Sequence, residues 1–262
     1  MKKESKKAIY ARHGIIYENG KIFHEEFGFI NPLMINGNEK IGKGVWHFST
    51  LPTTKEFTAN INGKEYIVKG TCAITCAGCY ATKGNYRFQS TVDSLAVRTW
   101  LVWNDVDFVK RAILAQIEAD KIEFCRIHAS GDFASVEYIE MWKDIVKACA
   151  TTTFWTYTKV KEAEKAFDGF QNANIVHSMI PHYGMNFGHF DYIIATYKAL
   201  KASGEKVYIC RCGIDKNQHC TNCKGCSKNE FVLFIEHSTE YKAENDPAFE
   251  ELKAIIEAQE QS

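Results

Sequence analysis

Eight of the ten cysteines fall in two short stretches, and this constrains the chain more than any other feature. Cys72, Cys76 and Cys79 form the first set; Cys210, Cys212, Cys220, Cys223 and Cys226 form the second. Cys125 and Cys149 stand apart. A reducing compartment does not hold disulfides, so clustered thiols there read as metal ligands or redox groups. A secreted disulfide scaffold would spread its cysteines and would lack a long α/β pattern. The N-terminus, MKKESKKAIYARHG, has no apolar core and no small-residue cleavage site, so no signal peptide is expected. No run of about 18 uncharged apolar residues occurs, so no membrane span is expected. A cytoplasmic location follows from these readings.

The spacing within each set narrows the chemistry. Residues 71–80 read Thr-Cys-Ala-Ile-Thr-Cys-Ala-Gly-Cys-Tyr, a C-x3-C-x2-C loop. Three thiolates at this spacing can wrap one corner of a [4Fe-4S] cubane and leave one iron without a protein ligand. Structural zinc wants four ligands, usually from two C-x2-C pairs, so it needs a histidine or a distant cysteine to join this set. The second set reads Cys210-Arg-Cys212, seven residues, then C-x2-C-x2-C. That core resembles ferredoxin-type loops, with Cys210 or Cys212 as the fourth ligand. Zinc competes here, because four thiolates in a small knuckle suit it too.

The elements around these loops set the expected fold. Asn19-Gly20, Asn36-Gly37 and Asn62-Gly63 each supply the positive-φ pair of a tight hairpin, so residues 1–64 read as a β-rich extension. From Glu65 strand and helix alternate. Strands are expected at 65–70, 122–128, 152–158, 173–180, 207–210 and 231–237. Helices are expected at 91–120 in two pieces, 136–149, 161–167, 191–202 and 245–259. Asn104 and Ser135 are the expected caps of two of them. Such alternation predicts parallel βαβ units. The expected class is α/β: a (βα)6 partial TIM barrel over 65–262, with a cysteine-rich insertion at about 210–228. Lysines and arginines number 32 and aspartates and glutamates 32, which excludes a uniformly basic polyanion coat.

A three-cysteine loop after the first strand of a repeating β/α chain resembles the radical S-adenosylmethionine (SAM) superfamily. The resemblance implies that Cys72, Cys76 and Cys79 hold a [4Fe-4S] cluster whose open iron binds SAM, cleaved on reduction to a 5′-deoxyadenosyl radical. It implies a second feature, a Gly-Gly-Glu-like acceptor for the SAM ammonium at the end of the second strand. Ser130, Gly131 and Asp132 take that place. Tyr80 takes the role of the aromatic residue beside the third cysteine, though it follows Cys79 where the superfamily has it before. Ser178, on the fourth strand, is a further expected SAM contact. FSTLP (48–52), CAGCYATKGNY (76–86), RIHASGDF (126–133), WTYTK (155–159) and CTNCKGC (220–226) also resemble the gene-product-88-like family of phage and mobile-element proteins.

The reading is thus of an iron–sulfur enzyme with a SAM-binding cluster and an auxiliary C-terminal cluster, reduced by a donor such as flavodoxin or ferredoxin. Its substrate is not specified. Two alternatives stay open: a zinc-binding, non-enzymatic module for nucleic acid or protein, and a cluster-bearing electron carrier or redox sensor. Tyr80, Lys83, Tyr86, Arg87 and Phe88 interleave aromatic and basic groups, a weak nucleic-acid signal that ordinary loop charge also explains. Cys125, Cys149, Trp100, Trp103, Trp142 and Trp155 read as core. His128 divides evenly between site and core. Lys159 reads as solvated, and His177 and His237 as ordinary strand residues.

Overall fold

The computed structural model describes residues 4–37, 41–76, 79–178, 187–211, 214–215, 218–223, 225–229, 231–235 and 246–260. Ser5 opens a helix, α1 (Lys6–Arg12), by accepting from the Ala8 amide. β1 (Tyr17–Glu18) turns through Asn19 and Gly20, both at positive φ, into β2 (Lys21–His24), which pairs with β3 (Gly28–Ile30). β4 (Ile35–Asn36) lies antiparallel to β5 (Val45–His47). β6 (Glu56–Ile61) and β7 (Lys64–Lys69) form a hairpin over Asn62 and Gly63, again both at positive φ. Asn36 departs from the expected tip: it lies within β4, and only Gly37 takes positive φ.

Downstream come α2 (Gln89–Asn104), α3 (Val106–Asp120), β8 (Phe124–Arg126), α4 (Val136–Ala148), β9 (Thr153–Thr158), α5 (Lys161–Ala166) and β10 (Ala173–His177). β11 (Phe187–Gly188), α6 (Phe190–Ala202), β12 (Val207–Ile209), α7 (Cys220–Cys223), β13 (Phe231–Ile235) and α8 (Pro247–Glu260) complete the order. Ser135 caps α4 as expected, accepting from the Tyr138 amide. Asp105, not Asn104, caps α3, accepting from the Phe108 amide. The Asn104 amide instead donates back to the Trp100 carbonyl.

The partial TIM barrel is not what forms. The largest sheet is open, in the order β11-β13-β10-β9-β8-β5-β4, with β12 also on β13. Strands β5, β8, β9, β10 and β13 pair in parallel in that sequence. Closure would need a parallel neighbour on the free edge of β5. That edge is taken by β4 running antiparallel, while β13 carries β11 and β12. The expected first barrel strand at 65–70 is β7 of a separate hairpin. The parallel strand beside β8 is β5, from the segment read as an extension.

The two faces of this sheet are covered differently. Cys125 and Phe154 face α3 and α4, in a core that includes Ile113, Tyr138, Trp142 and Ile145. On α4 the buried residues Tyr138, Ile139, Met141, Trp142, Ile145 and Val146 repeat at helical spacing. Each large apolar side chain buried there is worth about 1.5–3 kcal/mol. Val45, Trp155, Val176 and Val232 face the other way and pack with Ile41, Cys210 and Cys226. The cysteine-rich segment therefore covers the face that a barrel would turn inward.

Candidate functional site

The carboxyl ends of the parallel strands carry the chemistry. β5 runs into Ser49 and Thr50, β8 into Ser130–Asp132, β9 into Lys159, β10 into Ser178 and β12 into Cys210. Backbone and hydroxyl bonds stitch the first three ends together. The Thr50 amide donates to the Ser130 carbonyl at 3.1 Å, and Ser130 Oγ donates to the Thr50 carbonyl at 2.8 Å. The Thr71 amide, which leads into the first cysteine loop, donates to the Leu51 carbonyl at 3.0 Å. Thr71 Oγ1 lies 2.7 Å from Thr50 Oγ1 and accepts from the Asp132 amide at 3.1 Å. The hairpin β6–β7 thus returns the chain to the sheet edge and delivers the cysteine loop there. Gly70 is required at the return, because a Cβ would sit 2.3 Å from the Pro52 and Thr53 carbonyl oxygens.

Cys72, Cys76 and Cys79 are half-buried free thiols. Burial pushes the Cys72 thiol up to about 12, helped by Asp132, Cys79 and Cys76. Burial also raises the Cys76 thiol; Lys159 works against it, while Cys79 and Asp132 add to it. Cys72 and Cys76 therefore both feel Cys79 and Asp132, and Cys76 a lysine as well.

Asp132 is 7% exposed. Its Oδ1 accepts from the Phe133 amide (2.8 Å) and from Thr158 Oγ1 (2.6 Å), and its Oδ2 from the Lys159 amide (3.0 Å). Burial raises its pKa against these bonds. An ionised carboxylate has about four acceptor positions, so Oδ2 retains capacity for a further donor. Lys159 was expected in solvent. It is instead half-buried, and its ammonium donates to Ser178 Oγ at 2.5 Å and to the Ser178 carbonyl at 3.2 Å. Its position at the end of β9, between two expected site residues, was the available signal. Tyr80 is 57% exposed, yet its hydroxyl donates to the Ala129 carbonyl.

The second set lies on the covered sheet face. Cys210 and Cys226 are buried there, with Cys220 packed against them. Cys226 interacts electrostatically with Cys220 and Cys223, and Tyr208 with Cys223 and Cys210. Cys210, Cys220, Cys223 and Cys226 thus gather at one place. Cys212 lies outside the described residues, as do Gly78 and His237; the His177 side chain is likewise undescribed. Burial pushes the Cys226 thiol up to about 12 although Tyr157 donates to its sulfur. Thr221 Oγ1 donates to the Lys43 carbonyl at 2.8 Å, tying this segment to the glycine-punctuated loop before β5.

Arg126 interacts with Tyr80, which follows Cys79, and with Cys220 and Cys226 of the second set. Its Cζ lies 4.7 Å from the Tyr157 ring centre, and its Nε donates to the His128 carbonyl at 2.8 Å. Burial opposes its charge, but Tyr80, Tyr157, Cys220 and Cys226 hold it protonated. His128 is core: it is 2% exposed, bonded to Tyr138 through Nε2 and packed edge-on against Phe133. Trp142 and Trp155 are buried as expected, whereas Trp103 is exposed and donates to the Lys69 carbonyl.

Among the described residues, no three His, Cys, Asp or Glu side chains converge as ligands of a single ion would. Zinc takes its sulfurs about 2.3 Å from one centre, and the irons of a cubane each take their own thiolate; cysteine thiols are donors for either group. Buried thiols held protonated give up those protons when a cationic centre binds. The buried Trp155 indole N–H, in the packed cluster that contains Cys210 and Cys226, has no acceptor among the described residues. A bound sulfur-rich group would supply one. Among the described residues no helix is long and apolar enough to cross a membrane.

A family model described as Gene product 88 matches residues 32–246. The Gene 88 protein of Mycobacterium phage D29 is 27% identical over 112 residues, covering 39% of this chain and 46% of that protein. The Gene 88 protein of Mycobacterium phage L5 is 26% identical over 112 residues, with the same coverage. The match spans about half the length of these curated relatives. No solved structure matches.

Proposed function

The chain belongs to the gene product 88 family, and we propose that it is an iron–sulfur enzyme that binds SAM at its three-cysteine site. The observation that carries this reading is the grouping of Cys72, Cys76 and Cys79 with Asp132 and Lys159 at the carboxyl edge of a parallel sheet. When bound, a [4Fe-4S] cluster supplies an open coordination position and the electron for reductive cleavage of SAM.

The chain's own residues then divide the remaining work. Cys72, Cys76 and Cys79 hold the cluster. Lys159 presents an ammonium, oriented by Ser178, to a carboxylate. Asp132, pinned by Thr158 and two backbone amides, offers Oδ2 to an ammonium. Tyr80, anchored through its hydroxyl, shields the loop from solvent beside Cys79. The second set, Cys210, Cys220, Cys223 and Cys226, holds an auxiliary cluster. The electron comes from a low-potential protein donor of the flavodoxin or ferredoxin kind.

Anaerobic reconstitution tests this. Two clusters per chain are expected, about eight iron atoms, with 5′-deoxyadenosine formed from SAM under dithionite. Uptake of zinc alone at both sites would overturn the reading in favour of a zinc module. Clusters without SAM binding would favour an electron carrier.

A further inference from the structure

Resting on the reading of the second set as a cluster site, we infer that Tyr157 and Tyr208 are hydrogen-bond donors to its cysteine sulfurs and set its reduction potential. Tyr157 Oη donates to Cys226 Sγ, and Tyr208 Oη lies 3.0 Å from Cys223 Sγ. A ligated thiolate has no proton, so in the loaded site the tyrosine must be the donor in both pairs.

The surroundings are built to hold these two rings. Tyr157 lies between the Arg126 guanidinium, 4.7 Å from its centre, and Phe234, edge-on at 5.4 Å. The Tyr208 ring is pressed against the Gly225 backbone: a Cβ on Gly225 would sit 2.5 Å from Tyr208 Cε1. Only glycine admits the ring at that distance from the loop between Cys223 and Cys226. Asn174 Nδ2 donates to the Cys226 carbonyl at 2.7 Å and to the Asn229 carbonyl at 2.9 Å, which fixes the sulfur that Tyr157 meets.

The sign of the effect follows from charge. One-electron reduction takes a [4Fe-4S] cluster from the 2+ to the 1+ state; no bond or proton moves, and the external donor loses the electron. The reduced state puts more negative charge on sulfur. Donors aimed at sulfur stabilise it and raise the potential. Arg126, in electrostatic contact with Cys220 and Cys226, acts in the same direction. The tyrosines are positioning residues: they act on the centre through the cysteine sulfurs that they meet.

The test uses the full chain carrying Cys72→Ala, Cys76→Ala and Cys79→Ala, so that all iron belongs to the second site. Tyr157→Phe, Tyr208→Phe and the double variant are reconstituted anaerobically, counted for iron and sulfide, and titrated by electron paramagnetic resonance. The expected result is unchanged iron and sulfide, with the midpoint moved negative in each single variant and further in the double. Retained clusters with an unmoved or more positive midpoint would overturn the inference while sparing the cluster reading. A parent protein that takes up zinc and no iron overturns both. Where Tyr157→Phe loses its cluster, Tyr208→Phe decides.

Discussion

A Cβ added to Gly131 would stand 1.9 Å from Thr50 Oγ1 and 2.6 Å from Thr71 Oγ1, and Gly131 has a φ of +84°. The turn after β8 is therefore closed against the strand end that seats the first cysteine loop. Gly131→Ala meets both a backbone penalty of about 1–3 kcal/mol and a clash with buried hydroxyls. It is expected to lower the melting temperature by several degrees. Iron should fall at the first site more than at the second, because Thr71 leads directly into Cys72. Thermal denaturation followed by circular dichroism, with iron counts on the same samples, checks this; a melting temperature equal to that of the parent would contradict it.

Local rules carried the sequence reading as far as the elements and no further. Helical periodicity located α3, α4 and α6, and β-branched and aromatic runs located β9, β10 and β13, because those signals are intrinsic to each segment. Closure depends on which strand takes the edge of β5; Asn36-Gly37 signals a hairpin, but nothing local says that its second strand, β5, joins the parallel sheet. The three-residue β5 carries a weaker strand signal than the six-residue β7. The cysteine sets were legible from spacing. Lys159 was not, because its burial depends on Ser178, Asp132 and Cys76 meeting from separate elements.

His47 and His128 make the fold sensitive to acid. Burial lowers the His47 pKa to about 4, with Arg126 and Arg98 adding; burial lowers that of His128 to about 3, with Arg126 adding. In the unfolded chain a histidine titrates near about 6.5. Between those values the unfolded state binds more protons, so the stability these groups contribute is complete above the unfolded pKa. It is lost as pH falls, at up to about 1.4 kcal/mol per pH unit for each histidine. His47→Asn keeps a polar atom near Ser49 Oγ, and His128→Gln keeps one near Tyr138 Oη. Urea denaturation at pH 7, 6 and 5 should show a shallower acid slope for each variant than for the parent. Parallel slopes would mean that neither imidazole is held neutral.

Lys159→Met should separate ligand binding from cluster assembly. The ammonium donates to Ser178 and lowers the Cys76 thiol pKa against burial. Its loss should raise that thiol further and slow alkylation of Cys76 in the metal-free protein. Loss of a charged hydrogen bond costs about 1.5–3 kcal/mol, so SAM affinity should fall by roughly ten- to a hundred-fold while iron content holds. Equilibrium dialysis with labelled SAM measures the first quantity and metal analysis the second. Unchanged affinity would remove Lys159 from the site.

The two cysteine sets should lose iron independently. Cys72→Ala, Cys76→Ala and Cys79→Ala together should remove about four iron atoms and abolish SAM cleavage. Cys210→Ala, placed on that background, should remove the remainder, because Cys210 packs with Cys226 and interacts with Tyr208 beside Cys223. The two sets share no cysteine, and Arg126, which interacts with Cys220 and Cys226, supplies no ligand. Loss of the second cluster should therefore leave iron at the first when Cys210→Ala is made alone. Iron and sulfide analysis of the three variants settles the division: simultaneous loss of both clusters from either change would show one shared centre.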